Sequence, residues 1–243
     1  MNKSILAVSI AALGFIIGVA LFGSAIKNRN KADNTISVTG LGTKTFTSDL
    51  ITWEGSFSRT SFELQSAYSE LAADRSVISE YLKSKGIKPT EMVFSAVDIQ
   101  KLYNYSNDSN GNSTRNFGGY QLMQKVSIES KEVGKIEDLS RNITEIINRG
   151  IEFTSTTPNY FYTKLSEVKQ QMIADATKDA KERAEKIADN AGAKLGKLKK
   201  GSTGVIQITA PNSTEEYSWG GTYNTSSKEK ESSITVKLEY EVK

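Results

Sequence analysis

The sequence predicts a mixed α+β protein behind an N-terminal membrane-spanning helix, and three observations predict it. Residues 5–26, ILAVSIAALGFIIGVALFGSAI, carry no charge. Residues 164–196 repeat small side chains every four positions along a charged helix that ends in glycine. The remaining segments alternate apolar and polar residues at the two-residue period of half-buried strands, interrupted by two shorter helical patterns.

The uncharged run is long enough to span a bilayer, which needs about 20 residues at about 1.5 Å rise each. It also exceeds the roughly 7 to 15 residues of a signal-peptide core. Residues 1–27 are therefore read as an uncleaved signal anchor, with a cleaved signal ending at the small residues Gly23-Ser24-Ala25 as the alternative. Lys27, Arg29 and Lys31 follow the run while only Lys3 and the terminal amine precede it, so the positive-inside count leaves orientation open. Residues 28–34 form a polar tether, and the folded part is residues 35–243.

In Ile36-Ser-Val38-Thr-Gly40-Leu-Gly42 a strand leads into glycines expected to make a turn or bulge. The third glycine of a dinucleotide-binding loop is missing, and no helix follows. Ile51, Trp53, Gly55 and Phe57 then alternate with polar residues, which places Trp53 in the core. Leu64, Tyr68, Leu71, Ile78 and Leu82 predict a helix over residues 61–85, stopped by Gly86 and kept from resuming by Pro89. Residues 92–105 read as extended with Val93, Val97 and Ile99 inward, and residues 106–119 as the polar tip of a hairpin. The returning strand uses Tyr120, Leu122, Val126 and Ile128. A second helix over residues 133–149 follows, capped by Gly150. Pro158 marks the next extended stretch, residues 151–162, as an edge or a bulge.

In the long helix, Met172, Ala176, Ala180, Ala184 and Ala188 make a flat seam that Leu165, Val168, Ile187 and Ala191 widen. Asp179 to Arg183 and Glu182 to Lys186 have the acid-first spacing of four on the wet side, and Gly192 supplies the stop. An alanine face approaches its cover closely, whether that cover is the protein's own sheet or a neighbouring subunit. Leu198 and residues 205–209 give another strand, residues 210–230 a loop, and Ile234, Val236, Leu238, Tyr240 and Val242 a final strand with one wet face.

Composition excludes more chemistry than the motifs add. With neither cysteine nor histidine, thiol nucleophiles, disulfides, thiolate or histidine metal sites and histidine-based triads are impossible. Acid–base work would fall to carboxylates, lysine or tyrosine. The 31 basic and 28 acidic residues give a net charge of +3. Such a balance draws the chain toward neither nucleic acid nor anionic lipid. The asparagines and Asp108 of the hairpin tip lack the acidic terminus of a calcium loop, and no metal or cofactor is expected.

Three groups of residues remain as candidates. Tyr217, Trp219 and Tyr223 lie close together in the late loop, and aromatics are favoured at interface centres. Lys194, Lys197, Lys199 and Lys200 follow the long helix, where they complement its dipole or hold an anionic glycan or lipid head group. Glu54 and Asp98, on predicted strands, could serve a carboxylate-dependent hydrolase if a cleft brought them together.

Taken in order, Ile36-x-Val38-x-Gly40-x-Gly42, Gly86-Ile87, Gly119-Tyr120, Gly150 and above all the alanine seam ending in Ala191-Gly192-Ala193-Lys194-Leu195-Gly196 give a chain that resembles the SIMPL-domain family across residues 35–243. The resemblance implies antiparallel sheets covered by helices in two lobes, roughly residues 35–60 with 151–243, and 61–150. It implies a non-enzymatic cell-envelope protein, associated with envelope or oxidative stress, that forms a homo-oligomer. With the anchor, this places the domain at the inner membrane on its periplasmic or extracellular side, with no nucleic acid or small-molecule substrate evident. The chain departs from the family pattern in its uncleaved-looking N-terminus and in a late loop whose only proline is Pro211.

Overall fold

A computed structural model describes residues 3–29, 34–107 and 113–243, excepting the side chains of residues 3–11, 25, 27–29 and 107. In chain order the elements are α1 (Lys3–Arg29), β1 (Thr35–Thr47), β2 (Leu50–Ser61), α2 (Leu64–Ser84), β3 (Met92–Phe94), β4 (Asp98–Asn107), β5 (Ser113–Ser130), α3 (Val133–Asn142), β6 (Phe153–Ser155), β7 (Asn159–Phe161), α4 (Leu165–Asn190), β8 (Leu195–Thr203), β9 (Gln207–Thr209) and β10 (Glu229–Val242). The fold is α+β with antiparallel sheets. Two compact units divide it: Met1–Lys44 with Val168–Ile206 and Ser233–Lys243, and Thr45–Glu167 with Gln207–Ser232. The expected lobes cut the chain elsewhere because β2, assigned there to the C-terminal lobe, is hydrogen-bonded along its whole length to β5.

The first unit is a sheet in the order β1-β10-β8, with α4 against it. Its cover is its own sheet. Gly40 and Gly42 lie inside straight β1, and a Cβ on Gly40 would fall 2.1 Å from the Ala176 carbonyl oxygen and 2.8 Å from Ala180 Cβ. One on Gly42 would fall 2.4 Å from the Met172 carbonyl oxygen. These glycines are not the expected turn or bulge; they let a helix backbone rest on a strand backbone. Asp179 ties the two together, accepting the Leu41 N–H at 2.9 Å and pairing with Arg183 at 2.9 Å. The Arg183 guanidinium and then that N–H hold its carboxyl below the usual range.

The buried row on α4 is Val168, Met172, Ala176, Ala180, Ala184 and Ala188, while Ile187 and Ala191 are exposed. The seam is narrower than periodicity suggests because a twisted sheet takes one ridge of residues spaced by four and leaves its flanks in water. Lys178 reaches Glu182 and Lys181 reaches Glu185, in place of the expected Glu182 to Lys186 pair. Gly192, with φ of 71°, ends the helix as predicted. β10 buries Ile234, Val236, Leu238 and Tyr240 and keeps its other face wet.

The second unit is a sheet in the order β3-β5-β2-β6, with β4 also on β5 and β7 also on β2. α2 and α3 cover one face. Gly55 leaves room there for the ring of Phe153, which stacks between Trp53 at 6.0 Å and Phe57 at 6.4 Å. Trp53 is buried, and its indole N–H donates to Ser155 Oγ at 3.0 Å. Arg59 clamps the buried Asp74 of α2 through Nε and Nη2, and Nη2 also donates to the Gly150 carbonyl. Pro158 separates β6 from β7 at the sheet edge, where its missing N–H costs no ladder bond.

Three expectations change here. The second helix becomes 3₁₀ from Ile143 to Arg149, and its i,i+3 spacing buries Ile143 and Ile146 while exposing Ile147. Val93 is 66% exposed and Ile99 51% exposed, whereas Met92, Phe94 and Val97 pack on the core. Register explains both positions: Val93 lies opposite Ser127 on the polar face, and residues 95–97 reset the alternation before β4, at the sheet margin. The predicted polar tip is mostly strand, since β4 runs to Asn107 and β5 begins at Ser113; residues 108–112 lie outside the described residues.

The predicted membrane span falls on α1. Part of it, residues 5–11 and Ala25, lies outside the described side chains, and the tether falls partly outside the described residues. Among the described residues no helix is long and apolar enough to cross a membrane.

Candidate functional site

The late loop is built around two side chains that periodicity did not single out. Gln207, on β9, accepts the N–H groups of Ser218 and Thr222 through Oε1 and donates to the Ser218 carbonyl through Nε2, at 3.2, 2.9 and 2.8 Å. Asn224 donates to Glu215 and Ser226 and accepts the Ser227 N–H. A buried amide that satisfies three backbone groups takes the place of a strand ladder in holding this irregular segment.

Lys230 closes the loop from beneath. Its side chain is fully buried, and its ammonium donates to the carbonyls of Asn224 at 2.6 Å and Ser227 at 2.8 Å, 5.7 Å from the Tyr223 ring centre. Burial pushes its pKa down to about 8, against a smaller opposing pull from Glu215. The sequence held the signal: the alternation of Ile234 extends back through Ser232 to Lys230, placing the lysine on the inward side.

This frame sorts the three predicted aromatics. Tyr223 is 38% exposed and partly covered by its own chain: its hydroxyl accepts the Tyr162 N–H at 3.2 Å and its ring lies 6.4 Å from that of Phe161. Tyr217 is exposed. Trp219 is 101% exposed, held out in water by a loop fastened at Ser218. The four predicted lysines, Lys194, Lys197, Lys199 and Lys200, are exposed and lie at or on β8, an edge strand of its sheet. Lysines on an edge strand repel the approach of another strand.

Glu54 and Asp98 do not meet. Glu54 is opposite Ser127 and Asp98 opposite Met123 on the two flanks of β5, so the register sets their Cα atoms about 16 Å apart. Lys125 stands between them and pairs with Glu54 at 2.8 Å. A glycosidase pair needs its carboxyls roughly 5 to 9.5 Å apart. Glu54 instead lines an open groove of about 510 Å³ on the polar face of the sheet, together with Glu91, Val93, Ser127 and Glu129. Glu91 is kept ionised by the Ser130 hydroxyl at 2.6 Å and the Lys88 N–H at 3.1 Å, which lower its pKa.

The sequence also missed an aromatic cluster at the far end of β5. Phe117 lies 5.1 Å from Tyr120, 6.1 Å from Tyr103 and 6.5 Å from Phe62, and the Arg115 guanidinium stacks 3.5 Å from the Tyr103 ring centre. The alternation of Tyr103 and Tyr105 was its only trace, hidden by the asparagines that follow.

Two antiparallel sheets with covering helices, an edge strand carrying lysines and large aromatics presented to solvent define an α+β protein. The chain belongs to the SIMPL family, described as a protein of unknown function (DUF541), whose model matches residues 36–242. No curated protein matches the chain.

Proposed function

We propose that this is a non-enzymatic, membrane-anchored protein of the cell envelope that self-assembles into a homo-oligomer, with a role in envelope or oxidative stress suggested by family resemblance. The observation that carries self-assembly is Trp219: a fully exposed indole on a loop fixed by the Gln207 and Asn224 hydrogen bonds. A loop already ordered loses little entropy on docking, and a rigid tryptophan is the side chain most used as an interface anchor. Anchoring is supported by α1, whose Leu13, Phe15, Ile16, Ile17, Val19, Leu21 and Phe22 are each more than half exposed. A helix apolar on every side is stable in lipid or inside a protein, not in water.

The full-length chain, extracted from native membranes in mild detergent and sized by light scattering, should form one species several times the monomer mass. Trp219→Ala should reduce its size. A monomer at high concentration overturns self-assembly, and a chain recovered in the soluble fraction at its full length overturns the anchor.

A further inference from the structure

The late loop brings a buried amine, an amide and a carboxylate together. Lys230 is fully buried, and its amine donates to the main-chain carbonyls of Asn224 at 2.6 Å and Ser227 at 2.8 Å rather than to a carboxylate. Burial in such a place favours the neutral amine, and with a pKa of about 8 roughly half of the folded chains carry a nucleophilic nitrogen at that pH. A side chain closed off from solvent reacts only with what already touches it.

Asn224 is that neighbour. It is 8% exposed, and both ends of its side-chain amide are held. Oδ1 accepts the Ser227 N–H at 2.9 Å, which polarises the carbonyl, while Nδ2 donates to the Glu215 carboxylate and to Ser226 Oγ at 3.2 Å. Only Cα and Cβ separate Cγ from the main-chain carbonyl that Nζ touches, so Cγ lies no more than about 7 Å from the amine. A swing of the flexible lysine stem spans that distance.

We propose that Lys230 and Asn224 join in an intramolecular amide cross-link, made by the protein between its own side chains with loss of ammonia. Nζ attacks Cγ and forms the new C–N bond, and the charge developing on Oδ1 meets the Ser227 N–H. Glu215 takes the proton that Nζ sheds and returns it to Nδ2, which leaves as ammonia when the old C–N bond breaks. Nothing is oxidised or reduced, and the main chain stays intact. Freshly folded chains still carry the free lysine; the cross-link accumulates afterwards, because Nζ must first leave the carbonyls of Asn224 and Ser227. It closes residues 224–230 into a covalent ring, whether or not Trp219 joins copies of the chain.

The full-length wild type, kept folded in mild detergent at pH 9 and sampled over several days, should lose about 17 Da in intact mass, one molecule of ammonia. Trypsin should then release residues 201–228 joined to residues 229–237, with no cut after Lys230. Lys230→Arg keeps donors for both carbonyls but forms no link, so its mass should stay constant. Glu215→Gln keeps an acceptor for Asn224 but carries no proton, and in chains still folded by circular dichroism it should slow the loss by about tenfold or more. A folded wild type that keeps its full mass, a loss that survives Lys230→Arg, or a joined peptide that appears as fast in Glu215→Gln overturns the proposal.

Discussion

The two units are packed on opposite principles. Unit two is filled by large side chains: Trp53, Phe57, Leu71, Ile78, Leu122, Ile136 and Phe153 interlock between sheet and helices. Unit one buries Ile234, Val236, Leu238 and Tyr240 of β10 but brings its helix onto β1 with almost no side chain between them, Gly40 and Gly42 touching the Ala176, Ala180 and Met172 turns of α4 at backbone distance. The first arrangement gains by burying apolar area. The second gains by dispersion between surfaces too close to admit a methyl group. They should therefore fail under opposite substitutions.

The largest effect is expected for Phe57→Ala. It removes a fully buried ring that flanks Phe153 in the aromatic stack and should cost about 4 kcal/mol, with amide exchange accelerating through β2 and β5 and sparing α4. Gly40→Ala, which adds one methyl group, should cost about 3 kcal/mol and accelerate exchange in β1 and α4 alone. If β1 absorbs that methyl without loss, close approach is not what holds unit one. The contrast would then collapse.

The late loop obeys neither principle, since hydrogen bonds hold it, and pH is the lever there. Below about pH 8 Lys230 is protonated both folded and unfolded. Between about 8 and the ordinary lysine value of 10.5 the unfolded chain keeps a proton that the folded one has lost, so this residue's contribution to stability rises with pH. The melting temperature of the wild type, measured against Lys230→Met, should therefore shift in the wild type's favour from pH 7 to pH 10. A neutral amine still has two N–H groups for the Asn224 and Ser227 carbonyls. Smallest of all, Trp219→Ala should change the unfolding free energy by no more than about 0.5 kcal/mol, because the folded unit buries none of it. A larger loss in dilute monomer would mean the indole packs on its own chain.

How far the site could be read in advance follows the same division. Trp219 was found because aromatics in a polar loop stand out at once. Tyr223 looked identical and is partly covered by its own chain, a difference the sequence hides because the hydrogen bond from Tyr162 and the position of Lys230 are long-range facts. The lysine run was visible; that β8 is an edge strand was not, since edge status depends on which strand lies beside it.

What the sequence determined by itself is local. The three helices of the folded part, the glycine stops at 86, 150 and 192, the inward row of β2 and the four-residue seam of α4 all follow from backbone periods and from φ angles that few residues tolerate. Tertiary structure alone decided the rest. It showed that Gly40 and Gly42 serve close packing, that β3 turns Met92 and Phe94 inward rather than Val93, and that Gln207 and Lys230 hold the loop. Each depends on a partner tens of residues away, and periodicity within one segment carries no information about what that segment will meet.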